Sequence, residues 1–194
     1  MDRNYRPLKR ILDLLFSALL LLFLSLPMLL IGVAVALSSK GGAIFRQERV
    51  GREGRIFVCY KFRTMYTDCP ENIPTSEFSN AEKYVTPIGS FLRKTSLDEL
   101  PQLYNVLKGD MSLVGPRPLI PHEGEIHELR RRCGVYRLRP GITGLAQING
   151  RDEINDIDKA RFDARYSRHV SLSEDARIIR QTLSEAFTGK NVAY

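Results

Sequence analysis

The chain has 194 residues, 43% of them hydrophobic and 26% charged, with a formal net charge of +7. That length and balance exclude a disordered polypeptide and fit one globular domain with an appendage. The positive surplus points to a polyanionic partner: nucleic acid, an anionic lipid surface or a phosphorylated substrate.

In chain order, the first feature is the uncharged apolar run at 14–37, "LLFSALLLLFLSLPMLLIGVAVAL". As a straight helix it would be about 36 Å long, against about 30 Å for a bilayer core. It is too long for the apolar core of a signal peptide, despite the cleavage-like Ala34-Val35-Ala36. Pro27 removes a backbone donor near its middle, and Ser25 stands close enough to satisfy a freed carbonyl. Arg3, Arg6, Lys9 and Arg10 precede the run, and Lys40, Arg46, Arg49, Arg52 and Arg55 follow it. A single span would leave its basic residues on the cytoplasmic side only. Two readings therefore stand: a kinked span, and a re-entrant helix that breaks near Ser25–Pro27 and returns.

Residues 54–65, "GRIFVCYKFRTM", have the β-branched and aromatic content of a strand, with no clean alternation. Residues 67–84 are polar and proline-containing, as in a loop or insertion. Residues 98–108 form a helical pattern with Leu100, Leu103, Tyr104 and Leu107 on one face, stopped by Gly109. Two Pro/Gly-rich stretches follow, at 112–121 and 137–151, and helical patterns resume at about 156–168 and 171–187. In the last helix Leu172, Ala176, Ile179, Leu183 and Phe187 make a stripe, which is expected to pack on the core, with lipid-interface binding as the alternative. Ser171 and Glu174 make a capping box at its start.

The chemistry centres on Asp98 and Glu99. Ser96-x-x-Glu99 has the form of a capping box, but Pro101 would then stand where the helix needs a donor. Moving the cap to Asp98 relieves this and puts its carboxylate at the positive helix end, where ionisation is favoured and a phosphate would also bind. Neighbouring acids do not suit the spaced pair of a glycosidase. They suit a nucleophile beside an acid that holds a metal or adjusts a proton. Around them, Arg117 lies in "GPRP", Arg139 precedes Pro140-Gly141, Arg93 is five residues upstream of Asp98, and Lys61 and Arg63 close the strand-like segment. Arginines held by proline and glycine are placed to grip phosphate oxygens. No Walker A loop or G-x-G-x-x-G occurs. Cys59, Cys69 and Cys133 lack Cys-x-x-Cys spacing, and His122, His127 and His169 lack ligand spacing, so neither a disulfide framework nor a zinc site is expected.

The motifs "KRILDLLFS", "IFRQERVG", "YKFRTM", "TSLDELPQLYNVLKGDMSLVGPRP" and "LRPGITGLAQINGR" run almost the full length. In them the chain resembles the small monotopic phosphoglycosyl transferases of the bacterial sugar transferase family. The resemblance implies an α+β, mainly helical fold with a small β element. A re-entrant membrane helix would occupy 1–37 and a cytoplasmic catalytic domain 38–194. It implies transfer of a phosphosugar from a UDP-sugar to a polyprenyl phosphate such as undecaprenyl phosphate, at the cytoplasmic face of the bacterial inner membrane. Asp98 would be the nucleophile of a covalent intermediate, Glu99 its assistant, and Mg²⁺ would sit at Asp98 and Glu99. Lys61, Arg63, Arg93, Arg117, Arg139, Gln147 and Arg151 would bind phosphate or substrate. The family breaks its helix at a Ser-Pro pair, whereas here Leu26 separates Ser25 from Pro27. The resemblance leaves a homo-oligomer open and implies no nucleic-acid partner. A membrane-tethered nucleic-acid-binding module would rest on the charge alone, without a recognisable module. A non-catalytic scaffold for glycan assembly would leave the acid pair unexplained.

Overall fold

The structure is a computed structural model, which describes residues 5–69, 81–150 and 154–188. It is mainly helical with two small two-stranded sheets. The apolar run forms two helices, α1 (Tyr5–Phe23) and α2 (Ser25–Ser38), bent by 64° at Leu24. Among the described residues no single helix is long and apolar enough to cross a membrane, and this bent pair is so only when taken together. The break follows the proline: Pro27 cannot donate to the Phe23 carbonyl, and the Ser25 hydroxyl donates to the Leu22 carbonyl at 2.8 Å. Leu26 between them does not prevent the bend.

Buried side-chain hydrogen bonds tie down the first half of α1. Asp13 accepts from the Ser112 hydroxyl at 2.7 Å and the Leu113 amide at 3.1 Å. Asp175 accepts from the Tyr5 hydroxyl at 2.7 Å, Lys9 Nζ at 2.6 Å and the Tyr166 hydroxyl at 2.6 Å. Beyond that anchorage Leu15, Leu20, Leu22, Phe23, Leu26, Leu29 and Leu30 are exposed, an apolar surface of the kind that marks a protein or membrane interaction site.

The expected strand over 54–65 is the shorter β2 (Ile56–Phe62), paired antiparallel with β1 (Ile44–Val50). β1 has no counterpart among the sequence expectations, because "IFRQERV" carries four consecutive polar or charged residues, Arg46 to Arg49, and shows no period-2 apolar pattern. The register sets Phe45 opposite Lys61, Gln47 opposite Cys59 and Arg49 opposite Phe57, on one face of the hairpin. That face covers a small core of Phe57, Cys59, Val106 and Met111. Of the expected loop over 67–84, residues 67–69 form a turn and Ala81–Tyr84 a 3₁₀ turn, while 70–80 lies outside the described residues.

Next come α3 (Pro87–Thr95), a 3₁₀ turn at Leu97–Glu99, and α4 (Gln102–Lys108). The start of α3 carries a readable signal: Thr86 accepts from the Gly89 amide at 2.9 Å and Pro87 occupies the first turn. Gly109 ends α4 in the left-handed region at φ 100°, as its sequence position implies. β3 (Ser112–Val114) and β4 (Gly141–Thr143) pair in parallel, joining the two Pro/Gly-rich stretches. Between them lies α5 (Glu125–Arg132), also absent from the sequence expectations.

The last two helices, α6 (Asp156–Arg168) and α7 (Leu172–Thr188), fall where the patterns put them. Glu174 donates its amide to the Ser171 hydroxyl at 3.3 Å, the first half of the expected capping box. The orientation of α7 corrects the expectation of core packing. Leu172, Ala176, Ile179 and Leu183 are exposed, whereas Asp175 and Ile178 are buried. Polar contacts turn the helix: Asp175 is held as above, Gln181 donates to the Ile148 carbonyl at 3.0 Å, and the Thr182 and Thr143 hydroxyls lie 2.6 Å apart. The side chain of Phe187 lies outside the described ones. The main core combines Tyr5, Val114, Leu145, Ile148, Tyr166, Val170 and Ile178.

Candidate active site

Asp98 and Glu99 stand on the 3₁₀ turn between α3 and α4, each only 9% exposed. The capping arguments are corrected here. Ser96 closes α3 with a left-handed φ of 57°, and its side chain caps nothing. Pro101, not Asp98, is the N-cap of α4. Its ring rules out a backbone donor, so the segment before it closes as a tight turn with its own short hydrogen bonds, Glu99 to Ser96 at 3.2 Å and Leu100 to Leu97 at 3.3 Å. The two adjacent acids are thus brought to one buried turn instead of being fanned around a helix.

Three cations converge on this turn. Lys61, from the hairpin face, donates to Glu99 Oε1 at 2.8 Å. Arg117 lies 3.6 Å from the same oxygen. Arg93, from the last turn of α3, donates its Nε to the Thr64 hydroxyl at 3.0 Å and adds a positive charge near Asp98. Burial pushes the Asp98 carboxyl above the ordinary carboxylate range. Lys61 works against that rise, the Glu99 charge adds to it, and Arg93 and Arg117 oppose it. The expectation that a helix end keeps Asp98 ionised is replaced: these cations oppose burial instead.

Arg117 is held by its backbone. The Gly115 amide donates to Thr143 O at 2.8 Å and Gly141 to Pro116 O at 2.9 Å. Arg130 Nη1 donates to the Arg117 carbonyl at 2.7 Å. A Cβ at Gly141 would stand 2.1 Å from the Gly115 nitrogen, and one at Gly144 2.0 Å from the Gly115 oxygen. The glycines of "VGPRP" and "PGITG" therefore let two chain segments touch, which fixes the arginine between the prolines.

The remaining candidates fall elsewhere. Arg63 turns to the loop after α2, donating to Gly42 O at 3.2 Å and Gly41 O at 3.1 Å and lying over the Phe45 ring. Arg139 donates to Gly109 O at 2.8 Å, and its charged neighbours are Arg10, Arg52 and Asp13, not the acid pair. Gln147 is buried, with Nε2 on Ile142 O at 3.3 Å and Oε1 without a hydrogen-bond partner among the described residues. Arg151 lies outside the described residues. Arg49, absent from the candidates that the sequence offers for the site, donates to Pro118 O at 3.0 Å and has Arg117 and Glu99 among its charged neighbours. Its signal was register: it shares a strand face with the residue opposite Lys61.

No group of three or more acidic, histidine or cysteine side chains with metal-binding geometry occurs among the described residues. Two carboxylates are nevertheless the usual protein share of a Mg²⁺ site, which completes its shell with water and substrate phosphates. The donor set fits Mg²⁺ shared with a diphosphate. It does not fit a metal caged by protein alone. Among the described residues no disulfide forms; Cys59 is buried and Cys133 exposed. His127 is structural, with Nε2 2.7 Å from Ile120 O and Nδ1 against the Tyr136 hydroxyl.

The sequence matches the bacterial sugar transferase family over residues 4–189, and the chain belongs to that family. It is 41% identical over 192 residues to the UDP-glucose:undecaprenyl-phosphate glucose-1-phosphate transferase of Escherichia coli, covering 95% of this chain and 41% of that protein. Identity to the undecaprenyl-phosphate galactose phosphotransferase of Salmonella typhimurium is 39% over 198 residues, covering 93% of this chain and 40% of that one. The exopolysaccharide production protein ExoY of Sinorhizobium fredii is 38% identical over 190 residues, 90% of this chain and 83% of that protein. The chain thus spans about two fifths of the length of the first two relatives and most of the third.

Proposed function

We propose that the chain is a phosphoglycosyl transferase that moves a phosphosugar from a UDP-sugar to a polyprenyl phosphate such as undecaprenyl phosphate. The observation that carries this reading is the buried Asp98–Glu99 turn with Lys61 at 2.8 Å and Arg117 at 3.6 Å from Glu99. The relatives' names supply the substrates. An Asp98 carboxylate oxygen bonds to the β-phosphorus of the donor, and the bond to the bridging oxygen breaks, releasing UMP. A phosphate oxygen of the polyprenyl acceptor then attacks the same phosphorus and frees Asp98. Two steps let two bulky anions use one centre in turn. Mg²⁺ held by Asp98, Glu99 and the diphosphate would neutralise charge on the transferring group. Lys61, Arg93 and Arg117 oppose the burial that would protonate Asp98, and they offset phosphate charge that develops near it.

The bent helix pair and the outward stripe of α7 support attachment to the cytoplasmic leaflet by a re-entrant segment. α2 packs on α3, whose Phe91 is exposed, and α3 packs on α7. One side of the molecule would then lie at headgroup depth, where an acceptor phosphate is found.

The test is UMP release from a panel of UDP-sugars with undecaprenyl phosphate, for the wild type and Asp98→Asn. The wild type is expected to release UMP with at least one donor. Asp98→Asn should release none while still partitioning to membranes. Full activity of the variant would remove Asp98 as the nucleophile.

A further inference from the structure

A second basic cluster lies apart from the acid pair. A cleft of about 160 Å³ opens between the start of α1, the hairpin turn and the segment leading to β4. Its basic lining is Arg6, Lys9, Arg10, Arg52, Arg137 and Arg139, with Asp13 the one carboxylate among its lining residues. Lys61, Arg93 and Arg117 do not line it. The volume corresponds to about five water molecules, room for a phosphate group.

The cations form a floor and a rim. Lys9, Arg10 and Arg139 are half-buried, and Arg6, Arg52 and Arg137 are exposed. Lys9 is neutralised by Asp175 at 2.6 Å. Arg10 donates to Val106 O at 2.8 Å and Leu107 O at 3.3 Å, and Arg139 to Gly109 O. These acceptors are neutral carbonyls at the end of α4, so among the described residues neither guanidinium forms a salt bridge with a carboxylate, and Asp13 is the one acid whose charge reaches Arg139. Arg52 faces Glu53 at 3.2 Å across an exposed surface, where such pairs contribute little. Burial, then repulsion by Arg10 and Arg52, pushes Arg139 below its usual range. Like charges gathered in a concave site are relieved most directly by a bound anion.

Position selects the kind of anion. Arg10 lies about 8 Å along α1 from Leu15, where the exposed apolar surface is already established. Leu8 and Ile11, on the same turns of helix, are 45% and 60% exposed. If the apolar run lies in hydrocarbon, the cleft mouth lies among lipid phosphates. We propose that this cleft is a phosphate site separate from the acid pair, and that it takes the phosphodiester headgroup of an anionic phospholipid. The lipid source rests on the membrane-attached reading above.

The test uses the full chain in neutral detergent micelles, with thermal unfolding as readout and no sugar nucleotide present. The probes are short-chain phosphatidylglycerol, short-chain phosphatidylcholine and inorganic phosphate. Phosphatidylglycerol should raise Tm saturably, by about 5–10 °C at a hundredfold excess over Kd. Arg52→Gln with Arg137→Gln should weaken the apparent Kd about 30-fold, and the double lysine replacement should restore most of it. Both positions are exposed, and either single glutamine variant serves if the double one does not fold. Equal rises with inorganic phosphate would overturn the lipid assignment. Equal rises with both lipids, or no rise at all, would overturn the site. An undiminished rise in the glutamine variants would overturn its location. A chain that binds the lipid yet releases no UMP from any donor keeps this inference and loses the functional reading.

Discussion

Replacing Lys61 by Met tests whether the cation at the acid pair serves both stability and proton control. Lys61 Nζ lies 2.8 Å from Glu99 Oε1, with side chains 21% and 11% exposed. At an effective dielectric of about 20 the gross attraction is about 6 kcal/mol, most of it offset by desolvation of both ions. Met fills the aliphatic space but leaves the Glu99 carboxylate facing Arg117 at 3.6 Å without the lysine. Removing one partner of a fully buried pair costs about 3–5 kcal/mol, and the residual arginine with partial exposure brings this to about 2 kcal/mol. For a chain of this length that is a fall in Tm of about 4–8 °C.

The pH dependence carries a sign. Asp98 already titrates above its unfolded value, because burial disfavours its charged form. A carboxyl raised on folding makes the native state bind more protons, so stability falls as pH rises from the unfolded value through the folded one. Lys61 is the foremost influence opposing the rise, so Lys61→Met raises Asp98 further. The variant should match the wild type best at acid pH and fall furthest behind once Asp98 is ionised. The acid limb of UMP release should move to higher pH, and Lys61→Arg should largely restore it. Calorimetry across pH, with pH–rate profiles of kcat/KM, reads both effects. A Tm deficit that is the same at every pH, with an unmoved acid limb, would refute the reasoning.

Chelation by EDTA is expected to stop UMP release and added Mg²⁺ to restore it; turnover that persists in EDTA removes the metal from the scheme. Asp13→Ala strands the Leu113 amide and loosens α1, a loss of about 1–3 kcal/mol in thermal unfolding. Asp13→Asn, which keeps an acceptor, should lose less. Gly89→Ala would put a Cβ 2.0 Å from the Thr64 carbonyl oxygen, so a loss of about 3 kcal/mol or more is expected. By displacing the Thr64 hydroxyl that holds Arg93, it should also lower UMP release in whatever folded protein survives.

Much of this protein is legible along the chain. Periodicity and caps located α6, α7 and the end of α4, and Pro27 located the bend, because each depends on neighbours within a few residues. Of the basic residues that the chain offers near the acid pair, Lys61, Arg93 and Arg117 do converge on Asp98 and Glu99, whereas Arg63 and Arg139 do not. Local signals misled where distant contacts compete. The stripe of α7 has the periodicity of a core face, yet Tyr5, Lys9 and Tyr166 capture Asp175 and turn the polar side inward. Asp98 has a sequence suited to a helix cap, yet Pro101 takes that place and leaves the acids on a buried turn. Arg117 and Arg139 occupy equivalent Pro/Gly settings in sequence, and only the fold sends one to the acid pair and the other to the cleft beside α1. Sequence alone determined which residue types were available and how the chain bends locally. Tertiary structure decided which charges share a dielectric environment, because that depends on contacts between residues tens of positions apart.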